Sequence, residues 1–545
     1  MADTATDTLG ALDLGSHFAP PTHADWLAGV KRTLRGRAVD EVLQWRPSAG
    51  LTLPSIVFGA DEAARRPPSE AVTAFTLSHT LAGLPEHYRA AAKRALDLGA
   101  DTVALWSADG EVDHALTNAI GDRLRVYAPH QPDVPAALWM PVVRPDARPA
   151  PPTPRVLLDG AVFTEAGADA VTGLAWHLAL ANRYAQQRND HGRALDTYTL
   201  RVALTLEPML DVARLTATRR VFRQFAAAWG LDADLELHAV TSYRYQTTQD
   251  VHNNLIRASL QGVAAALAGA DVLSVRPYRA GDDEATRWAL GLGHLLRSES
   301  HFGTRPDAQD AWWISTAAEQ IAVQAWAQFQ AIEAAGGFDA AWSSADGLAH
   351  IRSQHQRIVE ALAMGERTLV GTTRFLDEST ADPASLVAPN DLPALLESGT
   401  TWHTLERVSM AFEHLRERGR KACQQRSLPP VLLVDLDPKR TAQARQLATD
   451  FFRMAGLKVQ LVASPSAYER SKRLRVACVL GDPNSNGVSE TLQTLEARRP
   501  GLLRYVVQHP TALDSTLQLH VDDCLHAGMD RLELIHDLHL SLGMV

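Results

Sequence analysis

The sequence predicts an α/β protein in which a barrel of alternating strands and helices precedes a smaller doubly wound domain. Two observations carry that expectation. From about residue 155 to residue 335, short apolar runs alternate with alanine-rich helical stretches. That is the rhythm of parallel crossover units, and the number of units favours closure into a barrel. Beyond Pro430 the rhythm restarts on a smaller scale, as a second, doubly wound unit requires.

The elements follow in order. Trp26, Leu27, Val30 and Leu34, with the later Val42 and Leu43, fall at three- and four-residue spacings around Lys31, Arg32 and Arg35, so the first segment is expected to be helical. Leu51–Leu53 and Ile56–Phe58 read as short extended pieces. Tyr88–Leu98 reads as a helix stopped by Gly99, and Thr102–Trp106 as a strand. The prolines between Pro132 and Pro154 exclude one continuous helix there. Val156–Leu158, Leu200–Leu206, Leu235–Val240 and Val272–Val275 are strand candidates, with helices over 169–187, 209–229, 251–268 and 284–298. A long amphipathic helix from Ile314 to Ala335 ends at Gly336-Gly337. Residues 377–395 are acidic, proline-containing and irregular, with the acidic run 377–383 expected to be a solvated linker; 397–418 reads as a connecting helix, and 419–430 is basic and polar. Val431–Val434 is then a fully apolar strand and 439–455 a helix closed by Gly456. Val459–Val462, Val476–Leu480 and Leu503–Val507 are further strands before a last helix from about Asp530 to Leu542.

Composition narrows the function classes. The 545 residues carry 53 Lys+Arg against 63 Asp+Glu, a net charge of -10, so the basic excess of a nucleic-acid binder is missing. Cys423, Cys478 and Cys524 are scattered and odd in number, which suits a reducing compartment rather than a disulfide framework. Met1–Ala19 carries Asp3, Asp7 and Asp13 and lacks the pattern of a signal peptide, and no stretch has the apolar length of a membrane span. A cytoplasmic protein with no membrane partner is expected.

Several motifs then stand in a recognisable order. They are Val212-Ala213-Arg214-Leu215 with Ala217 and Arg219-Arg220; Thr241-Ser242, Thr247, Gln249-Asp250-Val251 and Asn253-Asn254-Leu255-Ile256-Arg257; Trp326, Phe329-Gln330, Ile332-Glu333 and Gly336-Gly337; and Val521-Asp522, Ala527-Gly528, Asp530 and Leu542-Gly543. Together they resemble the methylmalonyl-CoA mutase family, and in particular the small subunit of its bacterial heterodimers. The resemblance implies a fold: an N-terminal dimerisation arm (1–50), a (β/α)8 TIM barrel of acyl-CoA mutase type (51–385), a linker (386–428) and a flavodoxin-like, doubly wound domain of cobalamin-binding type (429–545). It also implies a chemistry. Catalytic members of the family interconvert (R)-methylmalonyl-CoA and succinyl-CoA with adenosylcobalamin.

At the positions that carry that chemistry the chain departs from the family. Catalytic members place D-x-H-x-x-G after the first strand of the cobalamin domain, where the His ligates cobalt and the Asp orients it. Ungapped alignment puts Lys439, Thr441 and Ala444 there, with Asp435 in place of an upstream Lys. The family's later nucleotide-tail sites appear as Leu480-Gly481-Asp482 and Val507-Gln508-His509. In the barrel, G-Y-H-M-x-E-A-G-A becomes Gly160-Ala161-Val162-Phe163-Thr164-Glu165-Ala166-Gly167-Ala168, so Ala161 and Val162 replace the family Tyr and His. A valine has no hydrogen bond or proton to offer a thioester. The R-N-T-Y segment, whose Arg serves the substrate carboxylate, should fall just before, where only the proline-rich 131–155 stretch stands. R-P-W-T-x-R-Q-Y has no counterpart around 74–85, and R-I-A-R-N-T-Q is eroded to Arg287–Gly293 ahead of Glu299-Ser300.

The degenerate domain is therefore expected to hold no cofactor, with adenosylcobalamin in a catalytic large-subunit partner. Two other readings remain open: a competent mutase with relocated ligands, and a stand-alone regulatory or CoA-binding protein. His536 and His539, three apart on the last helix, lack the companions of a metal site and are expected on the surface or in packing. Tyr243, Arg244 and Tyr245 follow a barrel strand at the end where ligands usually lie. Trp312-Trp313 is expected in core or interface packing.

Overall fold

The computed structural model describes residues 22–544 except 49, 58–73, 82–84, 108–111, 129–138, 144–154, 190–196, 232–233, 303–310, 378–405, 464–472, 483–485 and 514. The helix His23–Leu34 is closed at its start by a capping box between Thr22 and Asp25. The helical turn Val39–Val42 leads into a hairpin of β1 (Gln44–Ser48) and β2 (Leu51–Pro54). Trp45 of the hairpin stacks on Trp313, whose indole Nε1 donates to the Pro54 carbonyl at 2.7 Å. The expected packing role of Trp313 is met, and this contact ties the N-terminal segment to the barrel; Trp312 is 38% exposed.

Eight parallel strands then close into a barrel: β3 (Thr76–Thr80), β4 (Thr102–Trp106), β5 (Leu124–Ala128), β6 (Trp139–Val143), β7 (Arg155–Asp159), β8 (Thr197–Ala203), β9 (Asp234–Val240) and β10 (Val272–Ser274). Each pairs with the next, and β10 pairs back to β3. The two-residue period of a strand divides their side chains. Val156, Leu158, Tyr198, Leu200, Val202, Leu237, Ala239 and Leu273 join the core shared with the helices Ala170–Asn189, Pro208–Ala228, Asn253–Leu267 and Trp312–Ala334. The alternate residues face the barrel interior. Helices Gly337–Ser343 and Ala345–Ala363 follow.

The second domain is a five-stranded parallel sheet of β11 (Val431–Asp435), β12 (Val459–Val462), β13 (Val476–Leu480), β14 (Leu503–Val507) and β15 (Asp523–Leu525), in spatial order β12-β11-β13-β14-β15. This is the flavodoxin-like order. Val431 and Leu433 point into one core, and Leu432 and Val434 into another, so both faces are covered.

Three differences from the sequence reading have physical causes. Strands β3, β5 and β6 were not anticipated. Thr76–Thr80 has one apolar residue, Leu77, and Leu124–Ala128 is interrupted by Arg125, so neither shows the apolar run of a buried strand, and β6 lies among the prolines with Pro141 inside it. β15 is three residues long. Of the connecting helix expected over 397–418, residues 397–405 lie outside the described residues; the described helix starts at Met410 and runs to Arg426, through the basic segment. Its buried residues include Phe412, Arg416, Gly419 and Ala422, a stripe at helical spacing that carries a charge and a glycine. Gly419 permits the close crossing: a Cβ there would lie 1.9 Å from the Ala455 carbonyl oxygen.

Candidate functional site

Among the described residues a packed layer crosses the barrel interior. Ala104, Trp106, Tyr127, Met140, Val142 and Leu157 form one apolar cluster, with the Trp106 and Tyr127 rings 4.7 Å apart. Arg201 of β8 pairs with Asp159 of β7 at 2.9 Å, and their side chains are 1% and 0% exposed. The Arg201 guanidinium stands 4.6 Å from the centre of the Trp106 ring. In the order of the closed sheet, β4 and β8 are four places apart and face each other across the axis. A contact between their side chains therefore crosses the axis itself. The sequence reading missed this bridge; its one visible signal was an Arg inside the apolar run of β8.

At the C-terminal mouth, the loop after β9 is buried and tied down. Glu165 accepts from the Ser242 hydroxyl and from the Tyr243 and Arg244 backbone N–H groups at 2.8–3.0 Å. Ala161 packs with Ala203 and Val240 at the ends of β8 and β9, whereas Val162 belongs to the core between sheet and helices. Asn254 bonds both the N–H and the carbonyl of Thr247, and Arg257 reaches Thr247, Asn254 and the Val370 carbonyl. The retained motif Gln249–Arg257 thus does structural work.

The same loop carries the second domain. Arg407 and Glu413 form a bidentate pair at 2.8 and 2.7 Å, Glu413 accepts from the Thr248 N–H, and Arg407 reaches the Gln246 carbonyl. Arg416 donates to Gln249 at 2.6 Å. Burial alone would raise the Glu413 carboxyl, but the hydrogen bonds and charge of Arg407 hold it below its ordinary value.

In the flavodoxin-like domain, ligands would enter at the C-terminal ends of β11 and β13, where the strand order reverses. Buried Thr441 stands there and donates to Asp435 at 2.6 Å and to the Asp437 carbonyl at 2.8 Å, while Arg445 pairs with Asp435 at 3.0 Å. Lys439 is exposed, and Ala444 packs against the domain core. A Cβ on Gly481 would lie 2.8 Å from Val488 and 3.5 Å from Leu436. His536 is exposed; His539 is buried and bonds the Ala455 carbonyl at 2.8 Å, a packing role. Among the described residues no cluster of three metal-ligating side chains occurs, and no helix is long and apolar enough to cross a membrane.

A concavity of about 420 Å³ lies outside the barrel wall, between the ends of β7–β9, the β1–β2 hairpin and the helix Ala345–Ala363. Arg46, Arg214, Arg244, Arg357 and Arg367 line it, with Asp169, Glu207 and Asp211. Arg244 is the member of the Tyr243–Tyr245 group that faces this space together with Tyr245, while Tyr243 lies under Arg407 at 5.9 Å.

Residues 137–395 match the family model described as methylmalonyl-CoA mutase. The methylmalonyl-CoA mutase small subunit of Propionibacterium freudenreichii subsp. shermanii is 26% identical over 390 residues, 69% of this chain and 56% of that one. A probable methylmalonyl-CoA mutase small subunit of Mycobacterium tuberculosis is 25% identical over 414 residues, 71% of this chain and 65% of that one. A methylmalonyl-CoA mutase of Escherichia coli is 25% identical over 233 residues, covering 40% of this chain. The chain thus spans between about half and two thirds of the length of the small subunits it matches.

Proposed function

The chain resembles the small subunits of the methylmalonyl-CoA mutase family, and on that footing we propose that it is the non-catalytic subunit of a heterodimeric mutase. Its partner would be a large subunit that holds adenosylcobalamin and interconverts (R)-methylmalonyl-CoA and succinyl-CoA in the cytoplasm. The observation that carries this reading is the Arg201–Trp106 contact across the barrel axis. A catalytic barrel of this family needs a passage along that axis for the CoA chain. Here the passage is replaced by a packed layer in which a buried ion pair and an indole meet.

The cobalamin side supports the same reading. Thr441 is a poor ligand for cobalt, and its hydroxyl is already spent on Asp435 and Asp437. The residues at the ends of β11 and β13 do not suit a cobalamin, so no step of a reaction is routed through one in this chain. What the chain keeps is stiffness. The Gln249–Arg257 motif fixes the mouth loop, and Arg407, Glu413 and Arg416 lock the second domain onto it. The N-terminal segment, pinned at Trp45–Trp313, is the proposed part of the partner interface.

The test is to co-express the chain with a large mutase subunit that carries D-x-H-x-x-G. A stoichiometric complex supports the proposal. A chain that stays alone in its presence, or that by itself binds adenosylcobalamin and turns over methylmalonyl-CoA, removes it.

A further inference from the structure

The cavity of about 420 Å³ outside the barrel wall is separate from the packed layer on the axis and borders the loop that carries the second domain. Its lining has more positive than negative charge, in a chain whose net charge is -10. Two of its arginines are neutralised locally: Arg214 by Asp211 at 2.7 Å and Arg367 by Glu207 at 3.2 Å. The other three make no ion pair with a carboxylate within 4.0 Å among the described residues, although the charges of Glu165 and Glu406 reach Arg244 from farther off. Arg46 reaches only the Gln44 amide, and Arg357 only Ser353 of its own helix. Arg244 is 2% exposed, bonds His355 through Nη1 at 2.5 Å, and leaves Nη2 without a hydrogen bond.

A buried guanidinium without a counter-charge is costly unless an anion completes it. Of the two carboxylates whose charge reaches Arg244, Glu165 is committed to the mouth-loop N–H groups and Ser242, and Glu406 lies 3.6 Å from His355, so neither bonds the free Nη2. Burial pushes the Arg244 guanidinium below its ordinary range and, with the charge of Arg244, holds His355 neutral down to about 4. His355 therefore serves as an acceptor for Arg244 rather than as a second cation. Gly167 leaves the room this needs: a Cβ there would lie 2.8 Å from the His355 Cβ and 3.2 Å from Arg244 Nη1. These three guanidiniums without a carboxylate ion pair come from three separate elements, the β1–β2 hairpin, the loop after β9 and the helix Ala345–Ala363. Such convergence suits a tetrahedral phosphate, approached from several sides, better than a planar carboxylate. Pro47, Leu210, Tyr245 and Ile358 supply an apolar border for an organic part, in a volume typical of small-molecule sites.

We infer that this cavity binds a small organic phosphate through Arg244, Arg357 and Arg46, at a site separate from the barrel axis. The inference holds whether or not the chain is a mutase subunit. Isothermal titration of the full chain with adenosine monophosphate, inorganic phosphate and succinate tests it. Saturable binding of the nucleotide, with phosphate weaker and succinate weakest, is expected. Arg357→Gln, an exposed position that leaves the fold intact, should weaken nucleotide binding about tenfold. Arg244→Gln should weaken it more, with the folded state checked by circular dichroism. No saturation with nucleotide or phosphate at millimolar concentration would overturn the inference. So would succinate binding more tightly than the nucleotide, or an unchanged affinity in Arg357→Gln.

Discussion

Replacing Arg201 by Met removes the cation at the centre of the barrel while keeping most of its volume. The wild-type guanidinium is 2.9 Å from Asp159 Oδ1 and 4.6 Å from the Trp106 ring centre, in a pair that is 1% and 0% exposed. Removing one partner of such a pair strands the other charge in a low-dielectric interior, at a cost of about 3–5 kcal/mol. For a domain of this size, each kcal/mol lowers the melting temperature by roughly 2 °C, so a fall of about 6–10 °C is expected. Differential scanning fluorimetry of the full chain measures it. The companion double variant, Asp159→Leu with Arg201→Met, removes both charges and should recover most of the loss, because an apolar replacement of a buried pair is often close to neutral. A shift in Arg201→Met within the roughly 0.5 kcal/mol typical of surface changes would refute the reasoning. So would a double variant no more stable than the single one.

Glu413→Gln breaks the bidentate pair with Arg407 and should loosen the second domain, seen as faster hydrogen exchange at 246–249 and 407–416. The Glu413 carboxyl lies below its ordinary 4.5 when folded, so its stabilisation is complete above pH 4.5 and fades as pH falls further. Wild-type exchange at the junction should therefore rise in acid, and that of the Gln variant should not change. His79 and His177 are both lowered by burial from 6.5 to about 4. The folded chain then binds fewer protons than the unfolded one across that window, and stability falls as pH drops through it, by about 1.4 kcal/mol per pH unit for each histidine. His177→Gln should flatten the dependence of melting temperature on pH; an unchanged slope would contradict this. Gly419→Ala drives a methyl into the Ala455 carbonyl and should cost about 1–3 kcal/mol, measured by urea unfolding against the exposed control Lys421→Ala.

How far the sequence could be read depended on what each residue's neighbours were. Strands that pack helices on one side and apolar side chains on the other, such as β7, β11 and β13, read as continuous apolar runs. β3 and β5 did not, because their inward positions carry Ser78 and Arg125 and so break the run. The substitutions at Ala161, Val162, Lys439, Thr441 and Ala444 were legible as losses of chemistry. What filled the space was not, since the Arg201–Trp106 bridge joins residues nearly a hundred positions apart that meet only once the barrel closes. The arginine-lined cavity was hidden for the same reason. Arg46, Arg244 and Arg357 share no motif, and of the three only Arg244 stood out, through its place after a barrel strand.

The non-catalytic role is decided by the turnover of (R)-methylmalonyl-CoA to succinyl-CoA with adenosylcobalamin, measured for this chain alone, for a large subunit alone, and for the two co-purified. No turnover is expected from this chain alone, and activity is expected in the co-purified complex at one copy of each chain. Turnover by this chain in the absence of any partner would contradict it.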